Sequence, residues 1–187
     1  MILNFWQGEN VRLRAVEPED WKVFEQWNLD SESARSSYFI PFPQSSVDLQ
    51  RMANTLALER GENDIFRWMI ENTEGEAVGT LNTHDVERRY GTFRYGIAVR
   101  REYWGKGYAG EAVRMVLGYF FPELGYQKCT VGIYSFNTQS LRLHEKLGFK
   151  LEGRERRMIY TNGEYFDNLI MGITAEEYRA LWKVNGP

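Results

Sequence analysis

The sequence predicts an α+β fold, with a central mixed, mostly antiparallel sheet and helices on both of its faces. Three observations support this prediction. Alternating apolar and polar residues mark several short strands, apolar residues at helical spacing mark the segments between them, and one β-α-β unit lies between hairpins at either end. The 187 residues show no internal repeat and no flexible linker, so we expect a single domain over residues 1–187.

The first third of the chain is predicted to hold one strand and two helices. An alternating stretch over 11–16 predicts the strand. Pro18 favours a helix start just after it, and aromatic residues then recur at helical spacing. Residues 30–44 are rich in Ser and aromatics and are interrupted by prolines, which predicts an irregular segment. Ser45, with an aspartate three residues later, predicts a capped second helix to about residue 60.

The rest of the chain alternates strands and helices. Three strands are followed by a long helix that Pro122 is expected to end, a further strand and a short helix. Asn162-Gly163 predicts a hairpin, and Thr174 with Glu177 predicts a capping box for a terminal helix. The predicted bounds are 66–71, 77–86 and 92–99 for the three strands, 109–120 for the long helix, 128–134 for the next strand and about 137–146 for the short helix.

Composition and charge exclude several classes of function. The formal net charge of −3 argues against a nucleic-acid partner, because such proteins usually carry a basic surplus. The single cysteine, Cys129, allows no internal disulfide, which favours a reducing compartment. The chain starts without a secretory signal pattern, and no apolar run approaches the ~20 residues that span a bilayer. We therefore expect a cytoplasmic protein with no membrane partner and no metal site.

A glycine-rich turn follows the strand that ends at Val99. Gly105, Gly107 and Gly110 allow the backbone to approach a bulky anion, and the helix that starts there presents unpaired N–H groups to it. Lys106 and two neighbouring arginines add positive charge, so the turn suits a pyrophosphate. The alternative is a tight strand-to-helix turn that binds nothing. The glycines alone favour these two interpretations equally.

The glycine spacing also spells G-x-G-x-x-G, the dinucleotide-binding pattern. That pattern normally follows the first strand of a doubly wound unit, with an acidic residue at the end of the next strand. Here the next strand ends in Tyr134-Ser135-Phe136-Asn137, without an acid, and no Gly-Lys-Ser/Thr triplet forms a Walker loop. A dinucleotide-dependent dehydrogenase is therefore a weaker alternative.

A second group of polar residues lies on the predicted short helix. Asn137, Ser140 and His144 share one face, and an amide, a hydroxyl and an imidazole together can contact a polar ligand. Taken singly, each has a local explanation, such as an N-cap role for Asn137. Gly96, inside a predicted strand, indicates either a bulge that frees backbone N–H groups beside the turn or a packing glycine.

These motifs resemble those of the GNAT superfamily of acyl-CoA-dependent acetyltransferases. The Arg/Gln-x-x-Gly-x-Gly/Ala acyl-CoA motif is similar to Trp104-Gly105-Lys106-Gly107-Tyr108-Ala109, with Trp104 in place of the first residue. The runs 137–149 and 162–167 look like those of the RimJ/RimL-like branch of N-acetyltransferases. The similarity extends from residue 11 to residue 174.

The resemblance implies acetyl-CoA as the cofactor and N-acetylation as the activity. Backbone groups of the strand end would pair with the pantetheine arm like an added strand, and N–H groups of the turn would hold the pyrophosphate. Asn137 would bond the pantetheine, and Ser140 or His144 would face the thioester sulfur. The implied cofactor-binding residues are Ile97, Ala98, Val99, Arg101, Trp104, Gly105, Lys106, Gly107, Tyr108, Ala109, Gly110, Asn137 and Ser140.

The hypothesis for the chemistry is direct attack of an amine on the thioester in a ternary complex. Many family members carry a tyrosine acid at the position of His144, and some carry a glutamate base near the position of Arg94. Ser140 is the candidate acid here, because a thiolate of pKa about 8.5 needs little help. His144 is the other candidate acid, since imidazole titrates near neutrality. Asp85, with His84 beside it, is the candidate base, and its alternative is a solvated turn.

The amine acceptor is expected between the first two helices and the far hairpin. Aromatic side chains would form its wall and carboxylates would attract a cation, unless the aromatics are plain core. The candidate substrate-binding residues are Asp30, Glu32, Tyr38 and Phe39, with Trp27 and Phe42 as further wall residues. A peptide N-terminus, which the RimJ/RimL resemblance favours, and a small molecule such as a polyamine or an aminoglycoside both fit. A non-catalytic acyl-CoA sensor is an alternative function, and terminal strands could pair two copies in a homodimer.

Overall fold

The computed structural model describes residues 4–37 and 39–182, which form seven strands and six α-helices. None of the helices in this part of the chain combines the length and the apolar character needed to cross a bilayer. The strands are β1 (Val11–Arg14), β2 (Arg67–Asn72), β3 (Ala77–Glu87), β4 (Thr92–Val99), β5 (Lys128–Tyr134), β6 (Lys150–Thr161) and β7 (Glu164–Thr174). The helices are α1 (Trp21–Trp27), α2 (Ser31–Ser37), α3 (Ser46–Ala57), α4 (Tyr108–Gly118), α5 (Thr138–Lys146) and α6 (Ala175–Trp182).

The strands form one mixed sheet in the order β1-β2-β3-β4-β5-β7-β6. β4 and β5 run parallel and pair from Thr92 to Arg94 on the β4 side. The pairs β1–β2, β2–β3, β5–β7 and β6–β7 are antiparallel. The parallel pair is the one connected through α4, because parallel neighbours need a crossover rather than a tight turn. The predicted mixed, mostly antiparallel sheet is confirmed.

Contacts divide the described chain into two compact units. The first unit takes the described residues up to Thr83 together with Gly96–Ala112. The second unit takes His84–Tyr95 together with the described residues from Val113 onward. Both β3 and β4 contribute residues to each unit, so the boundary runs through strands and not through a linker.

An apolar stripe of α3 forms the core of the first unit. Leu49 and Ala53 lie four residues apart, on one face of the helix, and are buried with Phe24 of α1 and Met69 of β2. Trp27 is partly buried and packs against the same cluster. Burial of these side chains is what stabilises α1 and α3, since helices this short are marginal in water on their own.

Stacked aromatic rings form the core of the second unit. The ring centroid of Phe93, on β4, lies 4.0 Å from that of Phe120 and 5.6 Å from that of Tyr126. Phe121 packs against Tyr178 of α6 with a centroid distance of 5.5 Å. Each such ring contributes roughly 2–3 kcal/mol when it is removed from water.

Two local sequence signals are confirmed. Asn162 and Gly163 have φ values of 52° and 80°, which a two-residue hairpin turn between β6 and β7 requires. At the start of α6, the Thr174 N–H donates to the Glu177 carboxylate at 2.9 Å. The Glu177 N–H donates in return to the Thr174 hydroxyl at 3.3 Å, which completes the predicted capping box.

The prediction of an irregular segment over 30–44 is wrong in its first half, where α2 forms. This helix buries no residue, so no apolar periodicity marks it in the sequence. Asp30 stabilises its start, because the Asp30 Oδ1 accepts the N–H groups of Glu32 and Ser33 at 3.2 Å each. Two other predicted elements are shorter than expected: β1 ends at Arg14 and α3 ends at Ala57.

The long helix also differs from its prediction at the C-terminal end. α4 ends at Gly118, and a π-helical turn continues over Tyr119–Glu123. Pro122 lies inside that turn and has no N–H to donate. The N–H of Leu124 instead bonds to the carbonyl oxygen five residues back, on Tyr119, at 3.1 Å. The helical path therefore continues through Pro122 as a wider turn and does not end before this residue.

We expect Ser45→Ala to lower the free energy of unfolding by about 1 kcal/mol. The Ser45 hydroxyl accepts the Asp48 N–H at 3.1 Å at the start of α3, and alanine leaves that donor without this acceptor. Urea unfolding of the variant measures the change. Ser46→Ala, one residue further along, is the matched control and should change stability by less than about 0.5 kcal/mol. Equal losses in the two variants would contradict the capping role.

Candidate active site

The glycine-rich turn redirects the chain from β4 into α4. Gly105 and Gly107 have φ values of 79° and 85°, in the left-handed region that favours glycine. The first backbone hydrogen bond of the helix runs from the Glu111 N–H to the Gly107 carbonyl, at 3.1 Å. The N–H groups of residues 107–110 therefore have no acceptor within the helix, and such groups bind anions.

The turn is open beside its glycines. A Cβ atom placed on Gly105 or Gly107 would meet no other atom within 4 Å, so the backbone conformation, and not close packing, requires glycine there. The indole Nε1 of Trp104 donates to the Val99 carbonyl at 2.7 Å and ties the turn back to the end of β4. Unpaired N–H groups beside open space can bind an anionic group.

The positive charges of this turn are not equally available to a ligand. Arg100 forms an ion pair with Glu102, and the Arg101 Nε lies 3.1 Å from the Asp30 Oδ2. Within the described residues, no carboxylate oxygen lies within 4.0 Å of the Lys106 ammonium. Lys106 is therefore the cation of this turn that forms no direct ion pair, although its charge helps to lower the pKa of the Glu76 carboxyl.

In the second unit, Asn137 caps α5. Its side-chain oxygen accepts the Ser140 N–H at 3.0 Å, as expected of an N-cap residue. Both residues are half-buried. The local explanation of Asn137 is thus confirmed, and its contact with the pantetheine arm stays a prediction.

His144 lies in the last turn of α5 and is only 2% exposed. Its Nδ1 lies 2.7 Å from the Ser140 carbonyl oxygen, which can only accept, so Nδ1 carries the proton. Nε2 is then the acceptor, and the hydroxyl of Tyr95 donates to it at 2.8 Å. The Ser140 hydroxyl also lies 3.4 Å from Nδ1. Both ring nitrogens of His144 are therefore occupied inside the protein.

Burial keeps this imidazole neutral. The loss of water around the ring lowers the pKa of His144 from 6.5 to about 4. Burial also raises the pKa of Tyr95 well above its ordinary value, so its hydroxyl stays protonated and donates. The expectation that His144 titrates near neutrality is therefore wrong.

Asp85, the predicted general base, lies on β3 with a φ of 46°. Its side chain is 66% exposed, and its Oδ2 lies 3.2 Å from the His84 Nδ1 and 4.0 Å from the Arg94 Nη1. The structure thus brings together the three polar residues that the sequence singled out at these strands. An exposed ion-pair cluster agrees with the solvated-turn alternative, and a role as base stays a prediction.

Comparison with known proteins identifies the family. The acetyltransferase (GNAT) domain family matches residues 10–150. The SPbeta prophage-derived uncharacterized N-acetyltransferase YokL of Bacillus subtilis is 43% identical over 95% of this chain and 97% of that protein. The chain belongs to the GNAT acetyltransferase family. The predicted class of enzyme is confirmed with it.

Two further comparisons extend the GNAT assignment. The spermidine N(1)-acetyltransferase of Escherichia coli K12 is 26% identical over 96% of this chain and 94% of that protein. The crystal structure of spermidine N-acetyltransferase from Vibrio cholerae in complex with CoA and spermine superposes with a TM-score of 0.78. It covers 90% of this chain and 97% of that one at 23% identity, which confirms the predicted GNAT fold.

The carboxylates predicted to attract the amine both have partners in this GNAT structure. Asp30 caps α2 with one oxygen and pairs with Arg101 through the other. Glu32 is more accessible, and its Oε2 lies 3.7 Å from the Arg35 Nη1. The pairing of Asp30 with Arg101 joins a predicted acceptor residue to a predicted cofactor residue. Their roles in binding either substrate stay predictions.

The predicted aromatic wall divides between core and surface. Trp27 packs against Phe24 with a centroid distance of 5.8 Å, as the plain-core alternative expects. Phe39 is 58% exposed and Phe42 is 89% exposed. Tyr38 lies outside the described residues. Among the described wall residues, Phe39 and Phe42 are thus accessible and Trp27 belongs to the core, and contact of any of them with an acceptor stays a prediction.

Sequence reasoning missed Tyr95, the partner of His144. The two residues are 49 positions apart in the chain, so no local pattern connects them. A signal for Tyr95 does exist on β4, where Phe93 and Tyr95 are both buried in the alternation of the strand. A buried tyrosine hydroxyl needs a polar partner, and a buried histidine can supply one.

We expect the stability of this protein to depend on pH through His144. Between pH 6.5 and about 4 the unfolded chain binds a proton that the folded chain excludes, so stability falls as the pH falls through this window. In His144→Gln, which cannot titrate, this loss is absent. The stability advantage of the original chain over the variant should therefore shrink by about 3 kcal/mol from pH 7 to pH 4. Urea unfolding at several pH values measures it.

The matched control is His84→Gln, which removes a half-exposed histidine. We expect the stability advantage of the original chain to shrink at low pH only in the comparison with His144→Gln. A pH dependence of His144→Gln that parallels that of the original chain would show that His144 is not held neutral.

Proposed function

We propose that this GNAT chain transfers an acetyl group from acetyl-CoA to a primary amine, which attacks the thioester directly in a ternary complex. The observation that carries the proposal is the open glycine turn of the acyl-CoA motif, with the unpaired N–H groups of residues 107–110. Family membership supports the cofactor. A relative named for N-acetylation of spermidine supports an amine as the acceptor.

Backbone groups and one cation are proposed to hold the cofactor in the first unit. The N–H groups of the turn and the Lys106 ammonium bind the diphosphate. Backbone groups of residues 97–99 pair with the pantetheine arm as an added strand would. In the second unit, Asn137 and Ser140 contact the arm and the thioester end. Acetyl-CoA supplies the activated acetyl group and a thiolate leaving group.

Two proton movements accompany the transfer. A lysine-like amine has a pKa of about 10.4, so it arrives protonated and must lose a proton before it attacks. Asp85 is the proposed base, directly or through an ordered water. His144 is neutral and both of its nitrogens are engaged, so the contact to the departing sulfur is assigned to the Ser140 hydroxyl.

The acceptor is proposed to be a primary amine on a small polycation or a peptide N-terminus. The spermidine-acetylating relative supports the first, and the RimJ/RimL-like motifs support the second. Exposed Phe39 and the accessible carboxylate of Glu32 suit either acceptor, since a polycation and a peptide N-terminus both present a cation next to an apolar stem. Asp30 joins them only when its pairing with Arg101 is released.

A homodimer is proposed through the terminal strands. β6 is the last strand in the sheet order, and most of its side chains are exposed, including Met158 and Tyr160. An edge strand of this kind pairs readily with another chain. Light scattering after size exclusion would return the mass of one chain if this pairing does not occur.

A non-catalytic acyl-CoA sensor is the second candidate function. The observation that favours it is that His144 is neutral where many family members carry a tyrosine acid, and that Arg94 stands near the position where some carry a glutamate base. A sensor would bind acetyl-CoA without releasing CoA.

Thermal shift followed by a CoA-release assay tests these proposals. We expect acetyl-CoA to raise the Tm, because a ligand that binds the folded protein stabilises the folded protein. NAD, which we expect not to bind, should leave the Tm unchanged. Free CoA thiol is then measured with polyamines, peptides with free N-termini and aminoglycosides. Turnover with any of them supports the enzyme, binding without turnover on the whole panel supports the sensor, and no stabilisation by acetyl-CoA contradicts both.

We expect Ser140→Ala and Asp85→Asn each to lower kcat by about tenfold or more, because each removes a group proposed to assist a proton transfer. Steady-state CoA release at saturating acetyl-CoA measures the effect. Thr138→Ala removes an exposed hydroxyl from the same helix as Ser140 and should retain kcat. Near-normal turnover in both Ser140→Ala and Asp85→Asn would refute the assignments.

A further inference from the structure

Tyr103 lies at the centre of a cluster that the sequence did not indicate. It belongs to the short 3₁₀ turn Arg101–Tyr103, just before the glycines. The Lys106 ammonium lies 4.9 Å from the centroid of its ring, and the Arg100 guanidinium lies 5.7 Å from it. Its hydroxyl donates to the Glu76 Oε2 at 2.9 Å. The ring therefore faces cations while its hydroxyl is held by a carboxylate.

Glu76 is itself fixed in place by Asn72. The amide Nδ2 of Asn72 donates to the Glu76 Oε2 at 3.0 Å, and the Asn72 Oδ1 accepts the N–H groups of Glu74 and Glu76 at 3.0 and 2.9 Å. Asn72 is buried, so this bonding anchors the β2–β3 turn to the sheet. The hydrogen bond from Asn72, followed by that from Tyr103, lowers the pKa of Glu76 and keeps its carboxylate ionised.

The chain of contacts ends on the one cation of this described turn that forms no direct ion pair. Arg100 and Arg101 are paired with carboxylates, whereas the Lys106 ammonium lies over the face of the Tyr103 ring and interacts with the Glu76 carboxylate only at longer range. A cation–π contact fixes the position of an ammonium but leaves its N–H donors available. Holding a lysine stem in one place before a ligand binds removes part of the entropy that binding would otherwise cost.

We propose that Tyr103 and Glu76 are positioning residues that hold the Lys106 ammonium for the diphosphate of coenzyme A. This inference rests on the proposed function, because it assumes that the glycine turn binds that cofactor. Lys106 makes the ionic contact, the Tyr103 ring fixes the ammonium, and Glu76 fixes the Tyr103 hydroxyl. Neither positioning residue touches the acetyl group or the acceptor.

Calorimetric titration with coenzyme A tests the ionic contact. We expect Lys106→Met to raise the Kd about tenfold, as for the loss of one charge-assisted contact, and to make the Kd less sensitive to added salt. The same increase is expected with 3′-dephospho-coenzyme A, which keeps the diphosphate. Lys22→Met is the matched control, because Lys22 also lies over an aromatic ring, that of Trp21 at 5.9 Å, but on α1.

A double-mutant cycle tests the positioning role. Tyr103→Leu should raise the Kd about threefold when Lys106 is present and have no effect when Lys106 is already methionine. Tyr103→Phe, which keeps the ring and loses the hydroxyl, and Glu76→Gln should show smaller increases of the same kind. In steady-state assays we expect Tyr103→Leu to raise KM for acetyl-CoA with kcat unchanged. Thermal melts of every variant confirm that it is folded.

The outcomes separate this inference from the function on which it rests. If the original chain binds no coenzyme A, the proposed function fails and this inference fails with it. If the original chain binds coenzyme A but Lys106→Met binds it as well as Lys22→Met does, the contact with the diphosphate is refuted. The contact is refuted too if Lys106→Met binds 3′-dephospho-coenzyme A as tightly as the original chain does. Equal effects of Tyr103→Leu in both backgrounds would show a structural role for the ring and no positioning of Lys106.

Discussion

The backbone conformation of the turn between β4 and α4 is the constraint on which the first unit of this GNAT protein depends. Positive φ at Gly105 and Gly107 lets the chain enter α4 with the N–H groups of residues 107–110 directed to no backbone acceptor. A side chain at either glycine would be strained even though space is open there. Such N–H groups favour an anion but cannot choose among anions, so selectivity depends on the side chains that surround them.

The second unit shows how burial changes the chemistry of a histidine. Desolvation lowers the pKa of His144 to about 4, and the Tyr95 hydroxyl donates to its unprotonated nitrogen. The imidazole then connects the last turn of α5 to Tyr95 of β4, and its low pKa keeps it neutral near pH 7. Ser140, whose carbonyl is the third member of this array, keeps a half-buried hydroxyl for other contacts.

Most of the fold could be predicted from the sequence, because its signals are local. The hairpin at Asn162-Gly163 and the cap at Ser45 each depend on residues a few positions apart. α2 could not be predicted, since it buries nothing and depends on one capping aspartate. In the candidate site, the glycine turn and the polar face of α5 were predicted. The Tyr95–His144 bond and the low pKa that burial gives His144 were not, because both depend on distant residues and on burial.

The balance of proton transfers bears on the choice of acceptor. A thiolate with a pKa of about 8.5 leaves with little assistance, whereas an amine of pKa about 10.4 must first be deprotonated. The one candidate base is an exposed carboxylate that shares its oxygen with His84 and Arg94. Any carboxylate can orient a water but is a weak base toward a strongly basic amine. Peptide N-termini, with α-amino pKa values of about 7.7–8.0, arrive largely deprotonated at slightly alkaline pH and make the smaller demand on these residues.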